Sequence, residues 1–80
     1  MVELSLIMKY YRFNISVSYE EFLQVYQGSA RYLVIETDEG LTIKTNASNF
    51  LPFVSQLGIR GYFCLITDDL NKFHSLERIA

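Results

Sequence analysis

The four residues Ser18-Tyr19-Glu20-Glu21 separate two different periodicities. Before them, Tyr11, Phe13, Ile15 and Val17 alternate with Arg12, Asn14 and Ser16, the period-two pattern of a half-buried strand. After them, Tyr19, Phe22, Leu23 and Tyr26 recur at i, i+3, i+4 and i+7, one apolar stripe of a helix. The junction itself is a capping box: Ser18 is placed to accept from the amide of Glu21, and Glu21 to reach back to Ser18. Val17 and Phe22 stand at the hydrophobic staple positions around it. Gly28 follows where a left-handed C-terminal cap is wanted. A strand that runs straight into a capped helix, over residues 19–27, is the arrangement from which the rest must be built.

That constraint weighs heavily because the chain has 80 residues. A domain of this size buries only about 60 % of its unfolded surface. The shortfall is met by rings: six Phe and six Tyr make 15 % of the residues, and each large ring buries roughly 150–250 Å². Cys64 is the lone cysteine, so no internal disulfide staples the fold, and a cytoplasmic setting is expected. The net charge of -2, with acids and bases interspersed, argues against a polyanion-binding surface. No apolar run reaches a membrane span. The N-terminal M-V-E-L-S-L-I-M carries Glu3 where a signal peptide carries positive charge. Residues 1–7 are expected to be an extension ahead of a start at Met8, or an extra strand through the alternation of Val2, Leu4, Leu6 and Met8.

A second strand is predicted over residues 31–37. Its centre, Tyr32-Leu33-Val34-Ile35, is apolar at every position, which suits a central strand covered on both faces. Asp38-Glu39-Gly40 signals a hairpin, with Gly40 at positive φ. Leu41, Ile43 and Thr45 alternate in a third strand. The stretch N-A-S-N-F-L-P-F-V-S-Q-L-G from Asn46 to Gly58 has room for one or two helical turns, because Pro52 is excluded from a helix interior. Phe50, Phe53 and Val54 in it are read as a plug that closes the core, with Leu51 and Leu57 partly exposed at the rim. A fourth strand runs over residues 59–67, a turn over Asp68-Asp69-Leu70-Asn71, and a fifth strand over residues 72–79, with a bulge expected near Ser75 because Phe73, Leu76 and Ile79 do not share a face. The prediction is a single α+β domain over residues 8–80, in the order β-α-β-β-(short helical turn)-β-β. It takes a mainly antiparallel, twisted five-stranded sheet or a small, partly open barrel.

The segments Y-R-F-N-I-S at 11–16, Y-E-E-F-L-Q-V-Y-Q-G-S-A at 19–30, N-F-L-P-F-V-S-Q-L-G-I-R-G-Y-F at 49–63 and N-K-F-H-S-L-E-R-I at 71–79 together resemble a family of short gammaproteobacterial proteins catalogued as domain of unknown function 2835. The resemblance covers nearly the whole chain from Met8 onward and implies a fold unit without an assigned activity. It also implies that proteins of this kind begin near the position of Lys9, and that the position of Leu51 is often basic, a pattern from which this sequence departs.

Catalytic and metal chemistry find little support. His74 and Cys64 fall short of the four ligands of a structural zinc site. Asp68 and Asp69 lack the spaced oxygens and glycine of a calcium loop, and read as a solvated turn. Cys64 stands mid-strand between Phe63 and Leu65, where a packed thiol is inert; a Cys64–His74 pair would lack a third, orienting group. Glu20 and Glu21 are accounted for by capping and the helix dipole. G-I-R-G lacks P-loop spacing, so Gly58 and Gly61 are read as serving a turn and a close backbone approach. No enzyme activity, cofactor or metal is expected.

The remaining candidates are Tyr11, Arg12, Arg31, Tyr32, Arg60 and Tyr62, with Leu51 and Leu57 beside them. Tyrosine and arginine are enriched where proteins meet proteins. The expectation is a non-catalytic interaction module that binds a protein partner or associates with itself through an edge strand. The alternative is a single-stranded RNA or DNA binder, stacking bases on a Tyr/Arg sheet face, with Tyr10, Lys44, Lys72 and Arg78 on or at the ends of the same strands.

Overall fold

A computed structural model describes residues 7–80 of the chain. Strand β1 is Met8–Val17, helix α1 Tyr19–Tyr26, β2 Tyr32–Glu36, β3 Thr42–Asn46, a 3-10 helix Ala47–Phe53, β4 Ile59–Asp68 and β5 Phe73–Arg78. The expected N-terminal extension or extra strand through Val2, Leu4 and Leu6 falls on residues outside the described ones.

The β1–α1 junction forms as its sequence dictates. Ser18 Oγ accepts from Glu21 N at 3.1 Å, and Glu21 Oε1 accepts from Ser18 N at 3.2 Å. Phe22 is buried from the helix stripe, and Gly28 closes the helix at φ 77°. Gly58 lies directly beneath this junction at φ 94°. Any Cβ there would overlap the carbonyl of Val17 and the backbone of Ser18 and Tyr19. A side chain at this position would push the helix start off the sheet.

β4 is the central strand. It pairs with β1 along ten residue positions, from Met8–Asp68 to Val17–Ile59, and with β5 on its other edge; both pairings are antiparallel. The bulge expected near Ser75 is present: Ser75 pairs with Ile66 and Phe73 with Thr67, leaving His74 as the extra residue. One face of this sheet holds the core. Phe13 stacks on Phe63 with centroids 6.1 Å apart, and Phe50 meets both rings edge-on at 6.2 and 5.8 Å. Phe53 adds a further edge contact to Phe63 at 5.1 Å. The stretch from Asn46 to Gly58 is thus a plug. Asn46 Oδ1 caps the 3-10 turns by accepting from Ser48 N, Phe50 is fully buried, and Leu51 and Leu57 stay exposed.

The single five-stranded sheet, or partly open barrel, is not formed. β2 and β3 make a separate two-stranded sheet, and the other three strands make their own in the order β1-β4-β5. Among the described residues, one backbone hydrogen bond joins the sheets, from Asp38 N to Arg12 O at 2.8 Å. The reason is a competition between edge and face. Continuing the sheet would pair β2 along β1 and hold the hairpin at the sheet's edge, away from the ring cluster. Turning the hairpin inward instead lays Leu33, Ile35 and Ile43 over the Phe13–Phe63 core, which a domain this small needs. β2 is consequently no central strand covered on both faces: Ile35 is buried, whereas Val34 is 70 % exposed.

Candidate functional site

A cleft of about 220 Å³ opens between the two sheets. Its floor is the core side of the larger sheet: Tyr11 of β1, Leu65 and Thr67 of β4, Phe73 of β5, and Asn71 from the β4–β5 turn. Its wall is Thr42, Ile43, Lys44 and Thr45 of β3. Successive strand residues point to opposite faces, so four consecutive ones meeting the same cleft mean that β3 presents its edge. The ladder phase says which backbone groups lie along that edge. Thr37 N donates to Leu41 O and Ala47 N to Arg31 O. Residues 41, 43, 45 and 47 therefore bond inward to β2, and Thr42, Lys44 and Asn46 turn their N–H and C=O outward.

The far side of the cleft is built by the β4–β5 turn. Asp68 Oδ1 accepts from Leu70 N at 2.9 Å and Lys72 N at 2.8 Å, which accounts for this aspartate without a metal. Asn71 takes φ 64°, a conformation that asparagine tolerates better than most residues. Its Oδ1 accepts from Tyr11 Oη at 2.6 Å. Among the described residues, Lys44 is the one charged residue lining the cleft, and its Nζ lies 4.4 Å above the Tyr32 ring.

A second cluster sits on the outer face of the three-stranded sheet. Tyr62 Oη donates to Asp38 Oδ2. The hydrogen bond to Asp38 holds the Tyr62 phenol above its ordinary pKa; partial burial and the charge of Asp38 add to this, while Arg12 opposes it. Asp38 therefore ties the hairpin tip to β1 through its amide and to β4 through its side chain.

The candidates named from sequence do not share one face. Arg12, Arg60 and Tyr62 lie on the outer face by alternation, whereas Tyr11 points to the core side. Arg31 and Tyr32 lie at the start of the other sheet, and Leu51 and Leu57 are exposed in and after the plug. Arg12 and Tyr62 are brought near each other; Tyr11 lines the cleft, whereas Tyr32 lies outside it, on the exposed face of the hairpin beneath the Lys44 ammonium. Sequence reasoning missed Thr42 and Asn71, and took Lys44 only as one of several strand cations. Lys44 carried a signal, an exposed cation on an alternating strand, but nothing local revealed that the outer edge of β3 would have no partner strand among the described residues. Cys64 is buried and stands across from Glu77, not from His74. Among the described residues, no group of three or more His, Cys, Asp or Glu is close enough to hold a metal ion. No helix among them is long and apolar enough to cross a membrane.

A family model described as "Protein of unknown function (DUF2835)" matches residues 9–79. The chain belongs to this family. The match begins one residue into β1 and ends one residue beyond β5, so both sheets, the helix and the plug lie within it. No curated protein and no solved structure matches the chain.

Proposed function

We propose that this chain is a non-catalytic protein-interaction module that takes an extended segment of its partner as an added strand along β3. The carrying observation is the position of the β3 edge. Its outward N–H and C=O groups, at Thr42 and Lys44, wall a cleft whose floor is partly apolar. Strand addition draws affinity from such main-chain bonds and specificity from pockets for alternate side chains. The cleft is also smaller than the roughly 300–1,000 Å³ of sites that engulf drug-sized ligands. A cytoplasmic setting suits the unpaired thiol of Cys64.

The reading of a single-strand nucleic-acid binder draws on Arg12 and Tyr62, which share the outer face. It is weakened by the placement of Tyr11 on the opposite face and of Arg31 and Tyr32 on the other sheet, since base stacking needs adjoining platforms. The net charge of -2 supplies no basic field.

The test is a pull-down from a lysate of the native host, with and without nuclease, comparing the wild-type chain with Thr42→Pro. Proline removes an outward N–H while sparing the bonds to β2. The expected result is a protein retained by the wild type regardless of nuclease and lost by the variant. Retention by both, or retained material that is nucleic acid, overturns the reading.

A further inference from the structure

Resting on the strand-addition reading above, we infer that the added segment carries an acidic residue flanked on both sides by apolar ones. Register is what selects this pattern. A residue lying across from Lys44 shares its face of the sheet, on the side away from Ile35 and Ile43. Its two neighbours then lie across from Ile43 and Thr45 and point the other way, over the cleft floor. There they meet Leu65, which is buried, and Phe73, which is 44 % exposed and gains an apolar cover. Among the described residues Lys44 is the charged residue of the open β3 edge; its side chain stands on the face away from the cleft floor, with the ammonium over the Tyr32 ring. A carboxylate across the pair answers that charge, and a basic residue there is repelled. A lone lysine is too sparse a field for a phosphate backbone, which is met by several cations at once. A second copy of this chain fits poorly. Symmetric β3–β3 pairing sets Lys44 against Thr42, Asn46 or itself and gives it no carboxylate.

The experiment is selection of random twelve-residue peptides displayed on phage against the immobilised full chain, in parallel with Lys44→Glu. Lys44 is exposed, so the variant keeps the fold. The wild type is expected to enrich peptides with Asp or Glu between two apolar residues, and the variant to enrich Lys or Arg at that place. A synthetic copy of an enriched peptide should shift the Thr42 and Lys44 amide resonances and lose about five-fold in affinity for the variant. Alternating peptides without an acid at that place, or no change of preference in the variant, overturn the inference and leave strand addition standing. No enrichment, or resonance shifts confined to the outer face around Tyr62, overturns both. A chain that sediments as a dimer and is dissociated by the peptide assigns the edge to a second copy, which also overturns the inference.

Discussion

Phe63 in β4 is wholly buried, while Val34 in β2 leaves 70 % of its surface in solvent. Yet each stands in an unbroken apolar run, Tyr62-Phe63-Cys64-Leu65-Ile66 and Tyr32-Leu33-Val34-Ile35. Nothing in the runs themselves marks the difference; their neighbours do. β4 has a strand on both edges and the ring cluster on one face. Among the described residues β2 has one partner strand, and a single backbone bond ties its hairpin to the other sheet. An apolar run therefore reports that a strand has something to bury, not how many of its faces will be covered. It follows that the larger sheet with its plug should hold the stability, and the hairpin should be the part that opens first.

The sharpest way to break this comparison is Phe50→Ala. Removing a ring that touches both Phe13 and Phe63 should cost about 3–5 kcal/mol in denaturant unfolding. Against a total of roughly 4–12 kcal/mol for a chain of this length, that leaves little folded protein. Leu57→Ala, on an exposed side chain, should stay within about 0.5 kcal/mol. Similar costs for the two would mean that the plug does not close the core.

Next in size is a pair of prolines within the hairpin. Ile43→Pro removes both an amide that bonds to β2 and a side chain packed on the core, and should cost about 3 kcal/mol. Thr42→Pro removes an outward amide and should cost under about 1 kcal/mol. Equal losses would show that the ladder phase has been assigned the wrong way round.

Native-state hydrogen exchange compares the two regions directly. Amides of β2 and β3 should exchange through openings of lower free energy than those of β1 and β4. The reverse order would refute the division of stability.

The smallest effect is expected at the tie between the regions. Tyr62→Phe should speed exchange in the hairpin, at the Asp38 amide first, while leaving the β1–β4 amides unchanged. Its pH dependence follows from the raised Tyr62 pKa. The neutral phenol is favoured by folding, so the contribution is complete below the ordinary value of 10.0 and is lost as pH climbs through the raised one. Wild type and variant should therefore converge only at strongly alkaline pH.

The strand into a capping box, the helix stripe, the hairpin at Asp38–Gly40 and the plug around Phe50 are all legible in the sequence. Each is set by residues within a few positions of one another: a Ser–Glu pair, a period of side chains, a glycine at positive φ. The bulge at His74 was legible too, because a strand whose apolar residues fall out of alternation needs an extra residue to return them to one face. Of the candidate site, Tyr11 was found through its residue type and Lys44 only as one strand cation among several, while Thr42 and Asn71 were not found, since the cleft depends on which strand edge stays open among the described residues.

The sequence by itself determined the elements and their order, and the buried side of β1 and of the helix, but not that of β2. Tertiary structure decided that the five strands part into sheets of three and two. Whether β2 spends its second edge on β1 or its hairpin turns a face to the rings depends on contacts between residues far apart in the chain. Burial of Leu33, Ile35 and Ile43 over the aromatic core outweighs the extra ladder bonds, because a backbone edge left in water still finds hydrogen bonds there, whereas exposed apolar surface finds no such substitute.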